Sequence, residues 1–330
     1  MLRQGKLVIL PTDTVYGVAA DPSAPGAEDR LYEAKGRDPA KPVPLLISEA
    51  CAVTRWGATM GFYARRLARR YWPGPLTLVL KTGGGTEGFR VPDHPVTLAV
   101  LRAVGGALRV TSANRSGAPA ARDADAAAEA LGRFVTLTLD AGPSPLGAES
   151  TVVREDGGAL RILREGAIPA GPLLSPPTVL FVCTGNICRS PMAEYLLRKW
   201  LGDGSAWQVG SAGVAAAGGM PASEEAVTVM AEKGLDLAPH RSRPLTQGLV
   251  DAADLIVVMT NTHRMSVQRR FHGAGDRMVL LKSFGLSHRD EDISDPIGMS
   301  VETYRDTRDE MNAVMPDLVL HLRDLMNAQA

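Results

Sequence analysis

Cysteine is scarce in this sequence. The 330 residues include three cysteines, Cys51, Cys183 and Cys188, which are too few for a disulfide framework. No group of Cys and His has the spacing of zinc ligands. The sequence therefore argues against a disulfide-stapled scaffold and against a structural zinc site.

Long apolar runs are missing as well. No run approaches the roughly 18 residues that a membrane-spanning helix needs. The N-terminus, M-L-R-Q-G-K, lacks the apolar core of a signal peptide. We therefore expect a cytoplasmic protein with no membrane partner.

The chain also has no net charge, because 36 Lys and Arg balance 36 Asp and Glu. The two halves differ slightly. Residues 1–168 hold 21 basic and 17 acidic residues, and residues 169–330 hold 15 and 19. The basic excess of the first half suits an anionic ligand, but it is too small to indicate duplex nucleic acid.

The length predicts two domains. The segment Pro169–Pro177 has four prolines in nine residues, so we expect a linker that forms no regular helix. The predicted domains are 1–168 and 178–330, and both are α/β. Many short strands in the first indicate a mixed, twisted sheet. Alternating strands and helices in the second indicate a parallel sheet with its site at the carboxyl ends of the strands.

The stretch Thr178–Pro191 combines an apolar strand with a Cys-x5-Arg spacing from Cys183 to Arg189. Ser190 and Pro191 are typical of a helix start, with Ser190 as the expected N-cap. Loop amides and the helix dipole then converge on an anion site, where a thiolate would be a nucleophile. A lone cysteine more often packs as a small apolar residue, but the whole pattern favours catalysis.

Polar clusters follow strand ends in the first half. They are P-T-D-T-V-Y-G at 11–17, K-G-R at 35–37 and T-S-A-N-R-S-G at 111–117. Taken singly, they also fit turn chemistry or a glycine helix cap. The run at 83–88, G-G-G-T-E-G, lacks a P-loop ending, and we expect a mobile turn there.

In order along the chain, these clusters with W-P-G-P-L-T, R-V-P-x-H-P, E-S-T-V and R-E-G resemble the YrdC-like threonylcarbamoyl-AMP synthases over residues 1–168. The resemblance implies conversion of L-threonine, bicarbonate and ATP to threonylcarbamoyl-AMP and pyrophosphate, with Mg²⁺ on the phosphates. Downstream partners would be the t6A transferase machinery and tRNA. The implied nucleotide contacts are Lys35, Arg37, Lys41, Asn114 and Arg164. The implied threonine contacts are Thr14, Arg90, Ser112 and Ser150.

Two points stay open for the first half. A concave basic face can also hold RNA, so an RNA-binding module without synthase activity is the alternative. In addition, family members usually have a helix before the first strand. Only six residues precede Leu7 here, so we expect either a misassigned start or a less stable domain edge.

The run C-T-G-N-I-C-R-S-P at 183–191 resembles the active-site loop of low-molecular-weight protein tyrosine phosphatases, and the resemblance extends over 178–330. It implies a phosphocysteine intermediate on Cys183, phosphate binding by Arg189, and Asp295 as acid and then base, chosen over Asp290 and Asp292 by its Asp-Pro pattern. No cofactor is expected. The implied phosphate-loop residues are Thr184, Gly185, Asn186, Ile187, Cys188 and Ser190.

Within this loop, Asn186 would hold the loop's shape, Ser190 would donate to the thiolate, and Cys188 could form a protective disulfide with Cys183. The expected substrate is a phosphorylated protein. Ile187 favours phosphotyrosine, whereas V-E-T-Y-R-D-T-R at 301–308 resembles the bacterial arginine phosphatases. We therefore expect a tyrosine phosphatase, with protein arginine phosphatase as the alternative.

Overall fold

The structure is a computed structural model that describes residues 1–285 and 291–327. The chain forms two compact units, Met1–Ser175 and Pro176–Leu325. The division falls inside the segment that the prolines predict as a linker. Within the described residues, no helix combines the length and the apolar character that crossing a membrane requires.

The first unit contains a nine-stranded mixed sheet, as predicted, in the order β7-β1-β2-β6-β3-β5-β4-β8-β9. Three neighbouring pairs are parallel (β1 with β7, β3 with β5, β4 with β8) and the other five are antiparallel. The strands are β1 Leu7–Leu10, β2 Gly17–Ala20, β3 Leu45–Ile47, β4 Leu76–Thr82, β5 Gly85–Arg90, β6 Ala107–Ser112, β7 Val135–Thr138, β8 Thr151–Asp156 and β9 Ala159–Arg164.

Strand β1 is apolar throughout because both of its faces are covered. Leu7 and Ile9 belong to one buried cluster, and Val8 and Leu10 belong to another. Successive side chains of a strand point to opposite faces, so the sheet has a core on each side here. Each of these burials contributes roughly 1.5–3 kcal/mol to the driving force for folding.

The sequence predicts helices at about 27–34, 49–56, 62–71 and 123–131, and the structure has a helix at each of these positions. The helix at 49–56 is a 3-10 helix, Ala50–Trp56, and the helices Pro95–Val104 and Ala170–Leu173 were not predicted. Further 3-10 turns are Leu2–Gln4 and Gly132–Phe134. The α-helices are α1 Ala27–Lys35, α2 Phe62–Tyr71, α3 Pro95–Val104, α4 Ala124–Leu131 and α5 Ala170–Leu173.

Two expectations for the first unit are wrong. Residues 85–88 are not a mobile turn, because β5 begins at Gly85 and pairs with β4 from Leu78 to Thr82. Residues 169–177 are not entirely without helix, because α5 forms one turn that ends at Leu173, a fully buried residue of a core cluster. In both places neighbouring elements stabilise a conformation that the local sequence disfavours.

The second unit has a four-stranded, fully parallel sheet in the order β11-β10-β12-β13, as the alternating pattern predicts. The strands are β10 Thr178–Cys183, β11 Gln208–Gly213, β12 Leu255–Val258 and β13 Met278–Leu280. The helices are α6 Arg189–Leu201, α7 Glu224–Ala231, α8 Gln247–Ala252, α9 Asn261–Arg270 and α10 Val301–Asn327, with 3-10 turns at Gly275–Arg277 and Leu281–Phe284.

Three predicted details differ in the second unit. Helix α6 begins at Arg189, so Ser190 lies in its first turn and Cys188 occupies the N-cap position. The sequence predicts a strand over Val279–Lys282, but the strand ends at Leu280. Pro316 is a candidate break in the long helix that the sequence predicts from Val301 to about Asn327. Helix α10 nevertheless continues through Pro316, because the turns on both sides of the proline pack buried residues such as Met315 and Leu318.

Candidate active sites

The phosphate loop, Cys183–Ser190, connects the end of β10 to the start of α6. Cys183, Asn186 and Arg189 are buried, and Thr184 is exposed. The carboxyl end of β11 approaches this loop closely: a Cβ on Gly213 would lie 2.4 Å from the carbonyl oxygen of Thr184. The parallel sheet therefore places the loop at the edge where the pattern predicts a site.

The thiol of Cys183 is surrounded by hydrogen-bond donors. Its Sγ lies 2.9 Å from Ser190 Oγ and 3.3 Å from the backbone N of Asn186, which donates to it. Ser190 is free for this contact because it does not cap α6. Donors on a sulfur stabilise its anionic form, which is the nucleophilic form.

Asn186 connects the loop to its surroundings. It has φ 55°, the one non-glycine residue with positive φ among the described residues. Its Nδ2 donates to Ser190 Oγ at 2.9 Å and to Ser211 Oγ at 2.8 Å. Its Oδ1 accepts from the backbone N of Arg243 at 2.9 Å, and its carbonyl accepts from His240 Nε2 at 2.7 Å. These bonds hold a left-handed conformation that an asparagine tolerates better than most residues.

Arg189 and Asp295 lie together, as the predicted site requires. The Arg189 guanidinium is 5% exposed and forms an ion pair with Asp295, and its Nη1 donates to Ile293 O at 3.0 Å. Asp292 instead accepts from the backbone N of Asn261 at 2.7 Å, at the start of α9. Asp290 lies outside the described residues. Of Asp292 and Asp295, only Asp295 contacts Arg189, the residue predicted to bind the phosphate.

His263 also contacts the phosphate loop, and no sequence motif indicated it. Its Nε2 lies 2.9 Å from Thr184 Oγ1 and its Nδ1 lies 2.8 Å from Thr260 Oγ1. Burial and the nearby charge of Arg189 lower the pKa of His263 to about 4. The imidazole is therefore neutral at physiological pH and positions Thr184.

Cys188 carries a free thiol, like Cys183. Its Sγ lies 3.2 Å from the hydroxyl of Tyr304 and 3.5 Å from Ser223 Oγ. Burial raises the pKa of the Cys188 thiol. A disulfide between Cys188 and Cys183 stays a prediction.

The first unit contains a cavity of about 400 Å³ on the sheet. Its wall includes six of the nine site residues predicted for this unit. They are Thr14, Arg37, Arg90, Ser112, Ser150 and Arg164. Pockets for small ligands have about this size and combine apolar walls with a few convergent polar groups.

Arg90 is held rigidly in this wall. Its Nη1 donates to Thr14 Oγ1 at 2.8 Å, its Nε donates to Gly74 O at 2.9 Å, and its Nη2 forms an ion pair with the buried Asp13. Burial lowers the pKa of the guanidinium, and the charge of Asp13 opposes that shift. A fixed guanidinium beside a threonine hydroxyl is suited to a small carboxylate ligand.

Arg164 lies beside Ser150 in the same wall. Its Nη2 donates to Ser150 O at 2.8 Å and to Ser150 Oγ at 3.1 Å, and its Nη1 pairs with Glu149 at 3.1 Å. Ser150 Oγ is also 2.9 Å from Thr77 Oγ1. Two predicted residues, one from each ligand set, therefore meet at this point.

The other three predicted residues, Lys35, Lys41 and Asn114, do not line the cavity. Lys35 Nζ donates to Ser112 O at 2.7 Å, to Asn114 O at 2.5 Å and to Asn114 Oδ1 at 2.9 Å. Burial and the charge of Arg37 lower the pKa of Lys35 to about 8. Lys41 is exposed, and its carbonyl accepts from Arg37 Nε at 2.9 Å. Through these hydrogen bonds Lys35 holds Ser112 and Lys41 holds Arg37, and both Ser112 and Arg37 line the cavity.

The wall also contains residues that the motifs did not indicate. Arg154 is the charged residue among them. It pairs with Asp156 at 2.5 Å. Ser150, Val152 and Arg154 all line the cavity, which is the period-two pattern of one strand face. That alternation is the signal by which the sequence could have indicated Arg154.

Comparisons with known proteins agree with this division. The Sua5/YciO/YrdC family model, described as "Telomere recombination", matches residues 1–166. The model described as "Low molecular weight phosphotyrosine protein phosphatase" matches residues 178–328.

Individual relatives match one half each. A "Putative threonylcarbamoyl-AMP synthase" of Mycobacterium tuberculosis is 41% identical over 51% of this chain and 81% of its own length. A "Protein-arginine-phosphatase" of Geobacillus stearothermophilus is 43% identical over 45% of this chain and 97% of its own length. A "Probable low molecular weight protein-tyrosine-phosphatase EpsP" of Ralstonia nicotianae is 47% identical over 36% and 77%.

These matches confirm both expected families. The chain belongs to the Sua5/YciO/YrdC family in its first half and to the low molecular weight phosphotyrosine protein phosphatase family in its second.

Proposed function

We propose that the first unit is a threonylcarbamoyl-AMP synthase, which condenses L-threonine, bicarbonate and ATP and releases pyrophosphate for tRNA t6A modification. The observation that carries the proposal is the cavity of about 400 Å³ with four arginines in its wall, of which Arg37, Arg90 and Arg164 belong to the motifs. The reaction gathers carboxylate, bicarbonate and phosphate groups, so fixed cations supply most of what catalysis needs.

In this proposal the arginines divide the ligands between them. Arg90, fixed by Asp13 and Thr14, binds the threonine carboxylate together with Ser150. Arg37 and Arg164 bind the nucleotide phosphates. The guanidinium of Arg164 also donates to Ser150, so it connects the nucleotide end of the site to the threonine end.

Lys35 and Asn114 act mainly as positioning residues until ATP binds. The ammonium group of Lys35 makes its hydrogen bonds to Ser112 and Asn114, and these bonds fix the loop after β6. Lys35, Lys41 and Asn114 do not line the cavity, so their direct contact with ATP stays a prediction.

Mg²⁺ would enter this site as part of the substrate, on the phosphates of ATP. Within residues 1–285 and 291–327, no group of three or more His, Cys, Asp and Glu side chains could hold a metal ion. Glu149 is the carboxylate in the cavity wall, and it already pairs with Arg164. The donor set fits a metal held by the triphosphate better than a resident metal.

A synthase assay with each substrate omitted in turn tests this proposal. We expect pyrophosphate release only when L-threonine, bicarbonate and ATP are all present. Binding of RNA that weakens steeply with salt, without any pyrophosphate release, would favour the RNA-binding alternative instead.

For the second unit we propose a cysteine-dependent protein phosphatase. The observation that carries it is the buried Cys183 sulfur contacted by Ser190 and Asn186, at the start of a helix whose Arg189 contacts Asp295. Amides and a guanidinium bind the phosphoryl oxygens while the sulfur attacks phosphorus.

The two proposed steps use Asp295 in turn as acid and base. In the first step the Cys183 sulfur forms a bond to phosphorus, the bond to the leaving oxygen breaks, and protonated Asp295 gives that oxygen its proton. In the second step Asp295 takes a proton from water, which attacks the phosphocysteine and releases phosphate and the free thiolate. Asp295 is 44% exposed at its side chain, so it can reach both leaving group and water.

We propose phosphotyrosine as the substrate residue. Ile187 is half-buried in the loop, and Ile297 and Met299 expose 54% and 57% of their surface just after Asp295. Apolar side chains at the edge of the site suit a phenol ring, and they offer no acceptor for a guanidinium. Phosphoarginine is the second candidate, because the Geobacillus arginine phosphatase aligns over 97% of its length.

Activity on two phosphopeptides distinguishes the two candidate substrates. The peptides are identical except that one carries phosphotyrosine and the other phosphoarginine at the same position. We expect a higher kcat/KM for phosphotyrosine, and a shift toward phosphoarginine in Ile187→Thr, whose hydroxyl can accept from a guanidinium. Higher activity on phosphoarginine in the unchanged protein would contradict the choice. Cys183→Ser, in which hydrolysis of p-nitrophenyl phosphate should disappear, tests the chemistry independently of the substrate.

A further inference from the structure

The second unit has another cavity, of about 590 Å³, which contains no residue of the phosphate loop among the described residues. It lies between α6, β11 and the segment 240–243. We call it the arginine groove after Arg198, Arg241 and Arg243 in its wall; Glu194, Ser211 and His240 also line it.

The groove has an excess of positive charge. Glu194 is its one carboxylate among the described residues, and both of its oxygens are engaged: Oε1 pairs with Arg198, and Oε2 accepts from Ser211 Oγ at 2.5 Å. Arg241 and Arg243 are exposed, and their side chains donate to carbonyl oxygens rather than to carboxylates within the described chain. Two guanidinium charges are therefore left without an anionic partner there.

The groove is also connected to the catalytic sulfur by hydrogen bonds. Three of its residues bond to Asn186: Ser211 Oγ accepts from Asn186 Nδ2 at 2.8 Å, His240 Nε2 donates to Asn186 O at 2.7 Å, and the backbone N of Arg243 donates to Asn186 Oδ1 at 2.9 Å. The backbone N of Asn186 then donates to Cys183 Sγ. A change at the groove thus reaches the nucleophile through a single residue, which is held in a left-handed conformation.

We propose that the arginine groove binds a small phosphorylated anion and that its occupancy lowers the turnover of the phosphatase. The Arg243 Nε donates to Ser211 O at 2.8 Å. A phosphate oxygen is a stronger acceptor for a guanidinium than this neutral carbonyl, because it carries a negative charge and can pair with the guanidinium through two parallel hydrogen bonds. A bound anion therefore draws the Arg243 side chain away from Ser211 O. The bond it breaks ties together the two residues whose hydroxyl and backbone N hold Asn186, so these contacts loosen. This inference rests on the proposed phosphatase activity.

The test uses the full chain and p-nitrophenyl phosphate at saturating concentration, with pyrophosphate as the added anion and inorganic phosphate in a parallel series. Saturating substrate removes simple competition at Cys183, so an effect on kcat reports a different site. We expect pyrophosphate to lower kcat about fivefold, within the usual range of coupling between two sites.

Arg241→Gln should abolish this effect and keep the kcat measured without pyrophosphate, because its side chain contacts Ala238 and His240 carbonyls and not the phosphate loop. Arg241→Lys, which keeps the charge, should retain part of it. Arg323→Gln, an exposed arginine of α10 outside the groove, should retain all of it. Equal melting temperatures of the three variants would show that folding is unchanged.

Besides the absence of any pyrophosphate effect, three results would overturn the proposal. The first is an increase of KM with no change of kcat, which means competition at Cys183 alone. The second is a kcat effect that persists in Arg241→Gln. The third is a kcat effect that disappears in Arg37→Ala, which assigns it to the first unit. A phosphatase that hydrolyses p-nitrophenyl phosphate normally but ignores pyrophosphate refutes the groove and leaves the proposed activity intact. Absence of hydrolysis refutes that activity itself.

Discussion

Asp295 and His263 show how single residues in the second unit acquire their chemistry from their neighbours. Arg189 donates to the carbonyl of Ile293, two residues before Asp295. This bond places Asp295, the proposed acid, beside Arg189, the proposed phosphate-binding residue. The sequence pattern Asp-Pro identified Asp295. It could not identify His263, because this contact to Thr184 joins residues 79 positions apart.

Replacing Asp295 with Asn should lower kcat/KM for a phosphotyrosine peptide about 10²-fold, the usual minimum for losing a general acid. The loss should be smaller for p-nitrophenyl phosphate, because p-nitrophenolate leaves without needing a proton. Steady-state kinetics on both substrates measures the difference. Asp292→Asn is the matched control: Asp292 accepts from Asn261 N, so its loss should lower stability and keep kcat/KM. Equal losses on both substrates would contradict an acid role.

His263 should make the second unit less stable as the pH falls. Its pKa is 6.5 when unperturbed and about 4 in the folded protein, so between these values the unfolded chain binds a proton that the folded chain does not. Stability is therefore full above pH 6.5 and falls as the pH decreases toward 4.

His263→Gln keeps a donor and an acceptor for Thr184 and Thr260 but does not titrate. We expect the loss of unfolding free energy between pH 7 and pH 4.5 to be about 2 kcal/mol smaller in this variant. Calorimetric unfolding of both proteins at the two pH values measures it. The same pH dependence in both would show that the imidazole is protonated in the folded state.

At the scale of elements, the strands and helices with clear periodicity were predictable. Strands β1 and β10, and helices α2 and α10, lie where the apolar patterns predict them. Strand β2 is G-V-A-A and strand β3 has three residues, so neither is a run of strand-favouring residues long enough to recognise. Helix α3 is rich in β-branched residues, which disfavour a helix locally, and Pro95 at its first turn was the available signal.

Close approaches between elements were also beyond prediction, and the end of β11 at Gly213 is an example. A Cβ there would lie 2.4 Å from Thr184 O and 3.0 Å from Asn186 N. Both atoms belong to the backbone of the phosphate loop, so neither can rotate away. Packing against the phosphate loop therefore requires glycine at position 213.

Gly213→Ala should displace the phosphate loop and lower kcat/KM for p-nitrophenyl phosphate at least about tenfold. A misplacement of about 1 Å in a catalytic group can cost 10²-fold. Gly204→Ala is the control, because a Cβ at Gly204 would meet no atom within 4 Å. Kinetics and melting temperatures of both variants test the prediction. Unchanged activity in Gly213→Ala would show that the loop tolerates the displacement.

At the scale of the whole molecule, the chain contains two compact units that belong to two families. The order of motifs was enough to predict both. It was not enough to assign each site residue a position, because Lys35 and Asn114 bond to each other and do not line the cavity, whereas Arg154 does. The side-chain hydrogen bonds that decide this depend on the folded sheet.

The central claim is that these two units contain separate anion sites with separate chemistry. It predicts that a variant in one site leaves the other activity unchanged. Arg37 lines the cavity of the first unit and Cys183 ends β10 in the second, so Arg37→Ala and Cys183→Ser form a reciprocal pair.

The most direct test measures both activities in both variants: pyrophosphate release from L-threonine, bicarbonate and ATP, and hydrolysis of p-nitrophenyl phosphate. The account predicts that Arg37→Ala loses at least about 10²-fold in pyrophosphate release and keeps the hydrolysis, and that Cys183→Ser does the opposite. A folded variant that loses both activities together would contradict it.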